Sequence, residues 1–266
     1  MSVLKCPVCS QDLFRIENCL KCNNNHSFDL AKEGYVNLLS AHKSGDSVGD
    51  NKEMARFRRD FLNKDYYITL ADAVGDCLEK YSVENDTVLD ICCGEGYYTN
   101  HLSQKYNRDY YGFDISKNMV RLAAKRKCGA QFFVANISSI PLKNESVNFA
   151  FHLFAPFHSG EFTRILKKDG VIVTAIPGKE HLYELKEILY DKPYFNDEKP
   201  PMTGELKLVD KIRSKAKIDL KSQEDIMSLF RMTPYFYHTP SQGISRLEGC
   251  KSLSVTTDFI LLVYKR

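Results

Sequence analysis

One stretch limits the fold of this chain more than any other. The apolar run Val88–Ile91 leads into a turn that carries Gly94 and Gly96, and a helix-forming run follows. A second apolar run, Tyr110–Phe113, ends in an acid, Asp114. A buried strand, a glycine turn and a helix, followed by a strand that ends in an acid, are typical of a doubly wound α/β sheet. The rest of the chain is interpreted around this prediction.

Apolar runs and amphipathic runs alternate between residues 87 and 185. The predicted strands are 87–91, 110–113, 131–135, 149–154 and 170–176, and the predicted helices are 98–105, 117–127 and 159–166. Runs 206–220 and 252–264 add two strands, and we expect the second of them to be an antiparallel edge strand. Near-continuous apolar strands predict a mostly parallel, seven-stranded sheet covered by helices on both faces.

Composition places the chain among globular proteins, with 43% hydrophobic residues and a net charge of +3 over 266 residues. Apolar runs stay shorter than the roughly 18 residues needed to span a bilayer. The first residues lack the apolar core of a secretory signal. We therefore expect a cytoplasmic protein, in which the nine cysteines are thiols or metal ligands rather than disulfides. The small positive charge permits a nucleic-acid partner without arguing for one.

The N-terminal segment carries a metal-ligand pattern. Cys6 and Cys9 form a C-x2-C turn, and Cys22 and His26 form a C-x3-H turn. Four such ligands on two tight turns suit tetrahedral zinc in a closed, structural site. Cys19 leaves a four-cysteine site as an alternative, and unligated thiols are the simplest one. Because the segment is too short for a large core, bound metal would supply much of its folding free energy.

Polar residues follow the predicted strands where a ligand binds in such a sheet. Asp90 lies inside the turn, where a carboxylate disfavours a pyrophosphate and suits a cofactor with a cationic amino-acid end. The turn also lacks the G-x-G-x-x-G pattern of nicotinamide-binding proteins. Asp114 is placed to accept from ribose hydroxyls, and Asn136 is placed to reach an adenine edge. These positions together predict S-adenosylmethionine as the cofactor.

Other segments are candidates for a substrate surface. Phe154–Phe157 follows the fourth predicted strand, where a flat base has room to bind. The strand 206–220 carries five basic residues, and Tyr235–His238 adds aromatic rings, a mixture that RNA-binding proteins use. A helix over 52–63 carries three arginines. For any one of these residues, a solvated face or a core ring is the alternative interpretation.

Several motifs give the chain a resemblance to a known family. These are C-P-x-C…C-x3-H, F-D-x-A-K-E-G-Y-V-N-L-L at 28–39, V-L-D-I-x-C-G-E-G-Y-Y-T at 88–99, G-x-D-I-S-K, A-x-P-G-x-x-H-L-x-E-L at 175–185 and L-x-x-M-T-P at 229–234. Across essentially its whole length, the chain resembles the rRNA large-subunit guanine-N1 methyltransferase A family (RlmA), which has a class I (Rossmann-like) methyltransferase fold. The resemblance implies methylation of N1 of a guanine in hairpin 35 of 23S rRNA, with large-subunit ribosomal RNA and a second copy of the chain as partners.

The resemblance also implies site residues and a division of the chain. The implied zinc ligands are Cys6, Cys9, Cys22 and His26, and the implied cofactor contacts are Tyr67, Gly94, Glu95 and His181, beside Asp90, Gly96, Asp114 and Asn136 from the general fold pattern. The predicted parts are a zinc ribbon over 1–40, a basic linker and helix over 41–70, and a methyltransferase domain over 71–266 whose substrate-side segment is 190–250. Catalytic residues are not assigned.

Cys92 departs from the family, which usually has glycine at this position. Its side chain is expected to crowd the cofactor's methionine end and to weaken binding without abolishing it. A small-molecule methyltransferase and a non-enzymatic RNA-binding protein with a degenerate cofactor site are the two alternative functions. The zinc ribbon and the basic strand argue against the first, and Cys92 is the only feature that supports the second.

Overall fold

The computed structural model describes residues 3–39 and 52–266, so the polar part of the predicted linker lies outside the described residues. The N-terminal segment is a ribbon of three short antiparallel strands: β1 Phe14–Ile16, β2 Cys19–Lys21 and β3 Ser27–Asp29. Strands this short bury little surface of their own. Leu4 forms an isolated bridge with Leu142 of the large domain, and both are fully buried. The ribbon therefore shares its core with the domain behind it.

An eight-stranded sheet forms the large domain. Its strands are β4 Val36–Asn37, β5 Thr87–Ile91, β6 Asp109–Asp114, β7 Gln131–Val134, β8 Val147–Leu153, β9 Leu166–Pro177, β10 Lys207–Leu220 and β11 Leu253–Lys265. Their order is β10-β11-β9-β8-β5-β6-β7-β4. Pairs from β4 to β9 are parallel, whereas β11 and β10 are antiparallel. The doubly wound prediction is confirmed, and β4 joins its seven strands as an eighth.

The predicted position of the last strand is wrong. β11 lies between β9 and β10, so β10 forms that edge of the sheet. The reason is visible in the burial: β11 is apolar and buried over most of its length, whereas exposed and less exposed residues alternate along β10. A strand with one solvated face is suited to an edge.

Helices cover both faces of the sheet. They are α1 Lys52–Leu62, α2 Ile68–Tyr81, α3 Tyr97–Lys105, α4 Lys117–Lys125, α5 Ser159–Ile165, α6 Tyr183–Leu189, α7 Gln223–Arg231 and α8 Ser241–Glu248. A 3₁₀ helix covers Pro234–Tyr237. Val88 of β5 packs into the core on one face, while Leu89 and Ile91 pack into the core on the other. Within the described residues, none of these helices combines the length and the apolar content needed to cross a bilayer.

Candidate functional site

The four predicted zinc ligands lie together. The ligand atoms of Cys6, Cys9, Cys22 and His26 are all within 4.8 Å of one another. Cys9 Sγ and Cys22 Sγ are 3.6 Å apart, and Cys22 Sγ lies 3.4 Å from His26 Nδ1. These separations match the edges of a tetrahedron around a zinc ion with ligand bonds of about 2.0–2.3 Å. The four donors therefore fit a tetrahedral zinc ion and fill its coordination shell, as in a structural zinc site.

Cys19 does not belong to this cluster. It lies in β2, and its thiol donates to the carbonyl oxygen of Ile16 at 3.2 Å. In the described residues the four-cysteine alternative has no geometric support.

The glycine turn follows β5 and is held by the protein itself. Thr99 Oγ1 donates to Asp90 Oδ2 at 2.5 Å, and Cys93 N donates to the carbonyl oxygen of Phe113 at 2.8 Å. Asp90 is almost fully buried, and burial raises the pKa of its carboxyl group to about 8. A buried acid held in this way ionises readily only beside a cation. It suits the cationic amino-acid end of S-adenosylmethionine.

Three turn residues have left-handed backbone: Cys92 at φ 59°, Gly94 at φ 54° and Gly96 at φ 78°. A Cβ on Gly96 would lie 2.8 Å from the Cβ of Ala123, so this glycine permits close packing of α4. A Cβ on Gly94 would approach no described atom outside the adjacent residues more closely than 4.0 Å, so this glycine leaves the space in front of the turn open. The two glycines thus serve different purposes.

Asp114 holds the turn rather than facing the cavity. Its carboxylate accepts from Gly94 N at 3.1 Å and from Ser116 N at 2.8 Å. Asn136 likewise caps its own turn, since its Oδ1 accepts from the backbone N and the hydroxyl of Ser138. Asp114, Asn136 and Gly96 are not among the residues that line the cavity in front of the turn. The predicted contacts of Asp114 to ribose and of Asn136 to adenine stay predictions.

Glu95 is buried beneath the turn and paired with Arg126. Arg126 Nε donates to Glu95 Oε2 at 2.9 Å, and its terminal nitrogen also reaches Asn63 Oδ1. Burial raises the pKa of Glu95 although the guanidinium opposes this shift. Glu95 Oε1 and Tyr98 Oη are buried polar atoms that lack a hydrogen-bond partner among the described residues, and both residues line the cavity. Orphaned polar atoms of this kind fit a site that a polar ligand completes.

His181 presents a defined tautomer to the cavity. Burial lowers its pKa to about 3, so the ring is neutral. Its Nδ1 accepts from Asp258 N at 3.2 Å, which leaves the ring proton on Nε2. Asn196 fixes the loop that carries this ring, because its Nδ2 donates to the carbonyl oxygens of Gly178 and His181, each at 3.0 Å.

A cavity of about 680 Å³ lies at the carboxyl ends of β5 and β8 and joins these groups. Of the predicted cofactor contacts, it is lined by Tyr67, Asp90, Gly94, Glu95 and His181. Tyr67 is also a core residue, 3% exposed. Arg58, Tyr98 and Asn196 also line the cavity. Arg58 belongs to the predicted arginine-bearing helix, whereas Tyr98 and Asn196 were not predicted as site residues, because their proximity joins chain segments far apart in sequence.

Aromatic residues form a further part of the cavity wall. Phe154, Tyr235 and Phe259 line it, and the rings of Phe154 and Phe259 are 5.3 Å apart. Phe154 has φ 62° and is 52% exposed, an unusual backbone and exposure for so large an apolar residue. The three residues come from the β8 end, the 3₁₀ helix and β11.

Fewer basic side chains of β10 are free to bind RNA than the sequence indicated. Arg213 pairs with the buried carboxylate of Asp258 through two contacts of 2.8 and 2.6 Å, and Lys215 pairs with Glu180 at 2.5 Å. Lys207, Lys211 and Lys217 make no ion pair within the described part of the chain. Acidic residues from distant segments therefore neutralise part of the positive charge of β10.

Comparisons with known proteins agree with this architecture. Residues 4–45 match the zinc-ribbon family model described as "RlmA, N-terminal", and residues 88–170 match a methyltransferase domain. The Bacillus subtilis protein YxjB, whose name places it among the 23S rRNA (guanine-N(1)-)-methyltransferases, is 28% identical over 98% of this chain and 96% of its own length. The 23S rRNA (guanine(748)-N(1))-methyltransferase of Streptomyces fradiae is 31% identical over 70% of this chain and 67% of its own length.

A solved structure supports the fold alone. A candidate sarcosine dimethylglycine methyltransferase from Galdieria sulphuraria aligns with a TM-score of 0.51 at 13% identity, covering 80% of this chain and 98% of that one. The ribbon, the sheet order and the sequence similarity agree, and the chain belongs to the RlmA family of 23S rRNA (guanine-N1-)-methyltransferases.

Proposed function

We propose that this protein transfers a methyl group from S-adenosylmethionine to N1 of a guanine in hairpin 35 of 23S rRNA. One observation supports this proposal most directly: a single cavity joins the glycine turn to an aromatic wall. The turn side suits a cationic amino-acid cofactor, and the wall suits a flat base. Family membership supplies the substrate class.

Three residues of the proposed cofactor site have a defined role. Asp90 and the Nε2–H of His181 would receive the ammonium and carboxylate groups, while Gly94 admits the ligand. The proposed cofactor residues are Tyr67, Asp90, Gly94, Glu95, Gly96, Asp114, Asn136 and His181, with Cys6, Cys9, Cys22 and His26 on zinc. When bound, S-adenosylmethionine supplies an electrophilic methyl carbon, so the protein mainly aligns the reacting atoms.

The base must leave its stack to react, because N1 lies on the Watson–Crick edge. Phe154 and Tyr235 offer rings against which an extruded guanine would pack. The N1 proton is lost during transfer, and His181 is poorly suited to accept it. Its Nδ1 lone pair already accepts a backbone N–H, and its Nε2 carries the proton. We assign His181 to the cofactor rather than to acid–base chemistry.

The test is transfer of a labelled methyl group. The protein is incubated with tritiated S-adenosylmethionine and large-subunit rRNA from cells that lack it, and the product is mapped by primer extension. A methyl group on guanine N1 blocks base pairing, so we expect one new stop in hairpin 35. Label in small molecules or in protein would refute the proposal, and an absence of bound cofactor would favour the non-enzymatic alternative.

Two further parts of the proposal have their own measurements. Because the substrate is ribosomal RNA, we propose that the protein works in the cytoplasm, which fractionation of cells tests. The homodimer that the family resemblance implies stays a proposal, and sedimentation of the purified protein distinguishes one copy from two.

A further inference from the structure

A basic ridge lies on α4, away from the cavity described above. Lys117, Arg121 and Lys125 follow one another at every fourth position, so they share one face of the helix about 6 Å apart along its axis. All three are exposed, whereas Met119, Val120, Ala123 and Ala124 of the other face are buried. Lys127 extends the ridge beyond the end of the helix. Residues 115–132 contain neither Asp nor Glu.

The ridge borders a cleft between the ribbon's exit and the methyltransferase domain. The cleft, about 320 Å³ in volume, is lined by Lys32, Glu33, Arg121, Ala124, Lys125 and Lys127. Glu33 is the one acid among the described residues that line the cleft, and it already pairs with Arg121 at 2.8 Å. This pair fastens the turn that carries Lys32 to α4. Lys32, Lys125 and Lys127 make no ion pair with any other residue in the described ranges.

The position of the cleft connects it with both functional regions. Lys32 follows β3 of the zinc ribbon by only a few residues. At the other end, Arg126 reaches Glu95 beneath the glycine turn and Asn63 beside α1. Arg58 of α1 lines the cofactor cavity. Arg126 therefore joins α4 to the cavity side as a structural contact, and the exposed basic residues lie between the ribbon and that contact.

We infer that this ridge and cleft bind the sugar–phosphate backbone of the RNA substrate and guide it from the zinc ribbon to the cavity. Exposed lysines that make no ion pair with described residues, grouped on one side of α4 and around the cleft, suit the phosphates of a nucleic acid. Such contacts position a nucleic acid without reading its sequence. The inference rests on the proposed function, and it names the part of the surface that holds the substrate.

The test compares two sets of lysine-to-alanine substitutions in the full-length protein. The test variant is K32A/K125A/K127A, and the control is K167A/K168A, whose exposed lysines lie at the start of β9, at the other end of the parallel strands. Binding to protein-free large-subunit rRNA is measured at several salt concentrations, and cofactor affinity is measured in parallel. Zinc content and melting temperature show whether each variant is folded.

We expect the test variant to bind RNA about 10- to 100-fold more weakly at low salt. The slope of log affinity against log salt concentration should become shallower by about 2–3, the loss of three phosphate contacts. Cofactor affinity should not change, and the control should match the parent. A test variant with the parent's affinity and slope overturns the inference while leaving methylation by the parent intact. A parent that neither binds nor methylates the RNA overturns the proposed function and the inference together.

Discussion

The zinc cluster and the glycine turn are held in place by different means. The cluster connects two short turns in a ribbon whose strands have three residues each, so we expect its four ligands to depend on bound metal to stay together. The turn is fixed by protein contacts alone, from Thr99 to Asp90 and from Gly94 to Asp114. The ribbon therefore folds with its ligand, whereas the cofactor site is preformed. Each of the following predictions tests one side of this contrast.

Removing a zinc ligand should have the largest effect. Cys22→Ser is expected to lose the metal and the folded ribbon, because structural zinc contributes about 10–16 kcal/mol of apparent binding free energy in small domains. Metal analysis and hydrogen exchange over residues 3–39 measure both losses. Cys19→Ser, outside the cluster, is the control and should keep its zinc. Cofactor affinity should change less than about twofold. A large loss of cofactor affinity in Cys22→Ser would show that the two regions are not independent.

Asp90→Asn should weaken cofactor binding without unfolding the protein. The amide keeps the shape that Thr99 contacts, but it removes the negative charge that a cationic ligand needs. A hydrogen bond to a charged group is worth about 1.5–3 kcal/mol, so we expect about a 10- to 100-fold loss of affinity by calorimetry. Asp169→Asn, at a carboxylate 84% exposed, should have no effect. Unchanged affinity in Asp90→Asn would remove this residue from the site.

The same carboxyl group should make cofactor binding depend on pH. Burial raises the pKa of Asp90 to about 8, so the free protein holds this proton at neutral pH. A bound cation favours the carboxylate, so binding should release a proton and strengthen by up to about tenfold per unit between about pH 6 and 7.5. Calorimetry in two buffers of different ionisation enthalpy counts the proton. Binding by the parent without proton release would contradict this prediction.

Stability without the cofactor should change with pH in the opposite direction. A carboxyl whose pKa is raised on folding contributes stability at low pH, and this contribution is lost as pH rises through about 8. The parent should therefore lose free energy of unfolding over this range relative to Asp90→Asn. Denaturant titration at pH 6 and pH 9 gives the difference.

Cys92→Gly should have the smallest effect and should improve the site. Cys92 has φ 59° and lines the cavity, so glycine relieves a left-handed backbone and removes a side chain at once. We expect the free energy of unfolding to rise by about 1 kcal/mol. Cofactor binding should become two- to tenfold tighter, which is equivalent to roughly 0.4–1.4 kcal/mol. Asn85→Gly, at φ 63° and outside the cavity, is the control for the backbone effect. Equal cofactor affinities in Cys92→Gly and the parent would mean that the sulfur crowds nothing.

The clustering of Cys6, Cys9, Cys22 and His26 and the positions of most strands along the chain could be predicted because both follow from local patterns. Cysteine spacing defines two turns, and apolar periodicity defines strands within a few residues. The Ser116 and Ser222 caps likewise depend on nearby residues, and each accepts from the backbone N–H three positions later.

Features that depend on distant partners could not be predicted. The pairing of Arg126 with Glu95 joins a helix end to a turn, and the pairing of Arg213 with Asp258 joins two strands. The first pair shows that Glu95 is already engaged, and the second reduces the free charge of β10. Asn196 lies in a segment without regular secondary structure, yet its Oδ1 accepts from the buried Lys186 Nζ at 2.7 Å. Nothing near these residues in sequence indicates the contacts.

The two residues of β4 have a consequence for any shortened form of this protein. Val36 and Asn37 pair with Phe133 and Val134, which makes β7 an interior strand. A methyltransferase domain cut free after the ribbon would expose the backbone of β7 along a row of apolar residues, ready to pair with other chains. The N-terminal segment therefore covers this edge of the sheet. If a truncated form is insoluble, we expect the cause to be the missing strand rather than the missing metal.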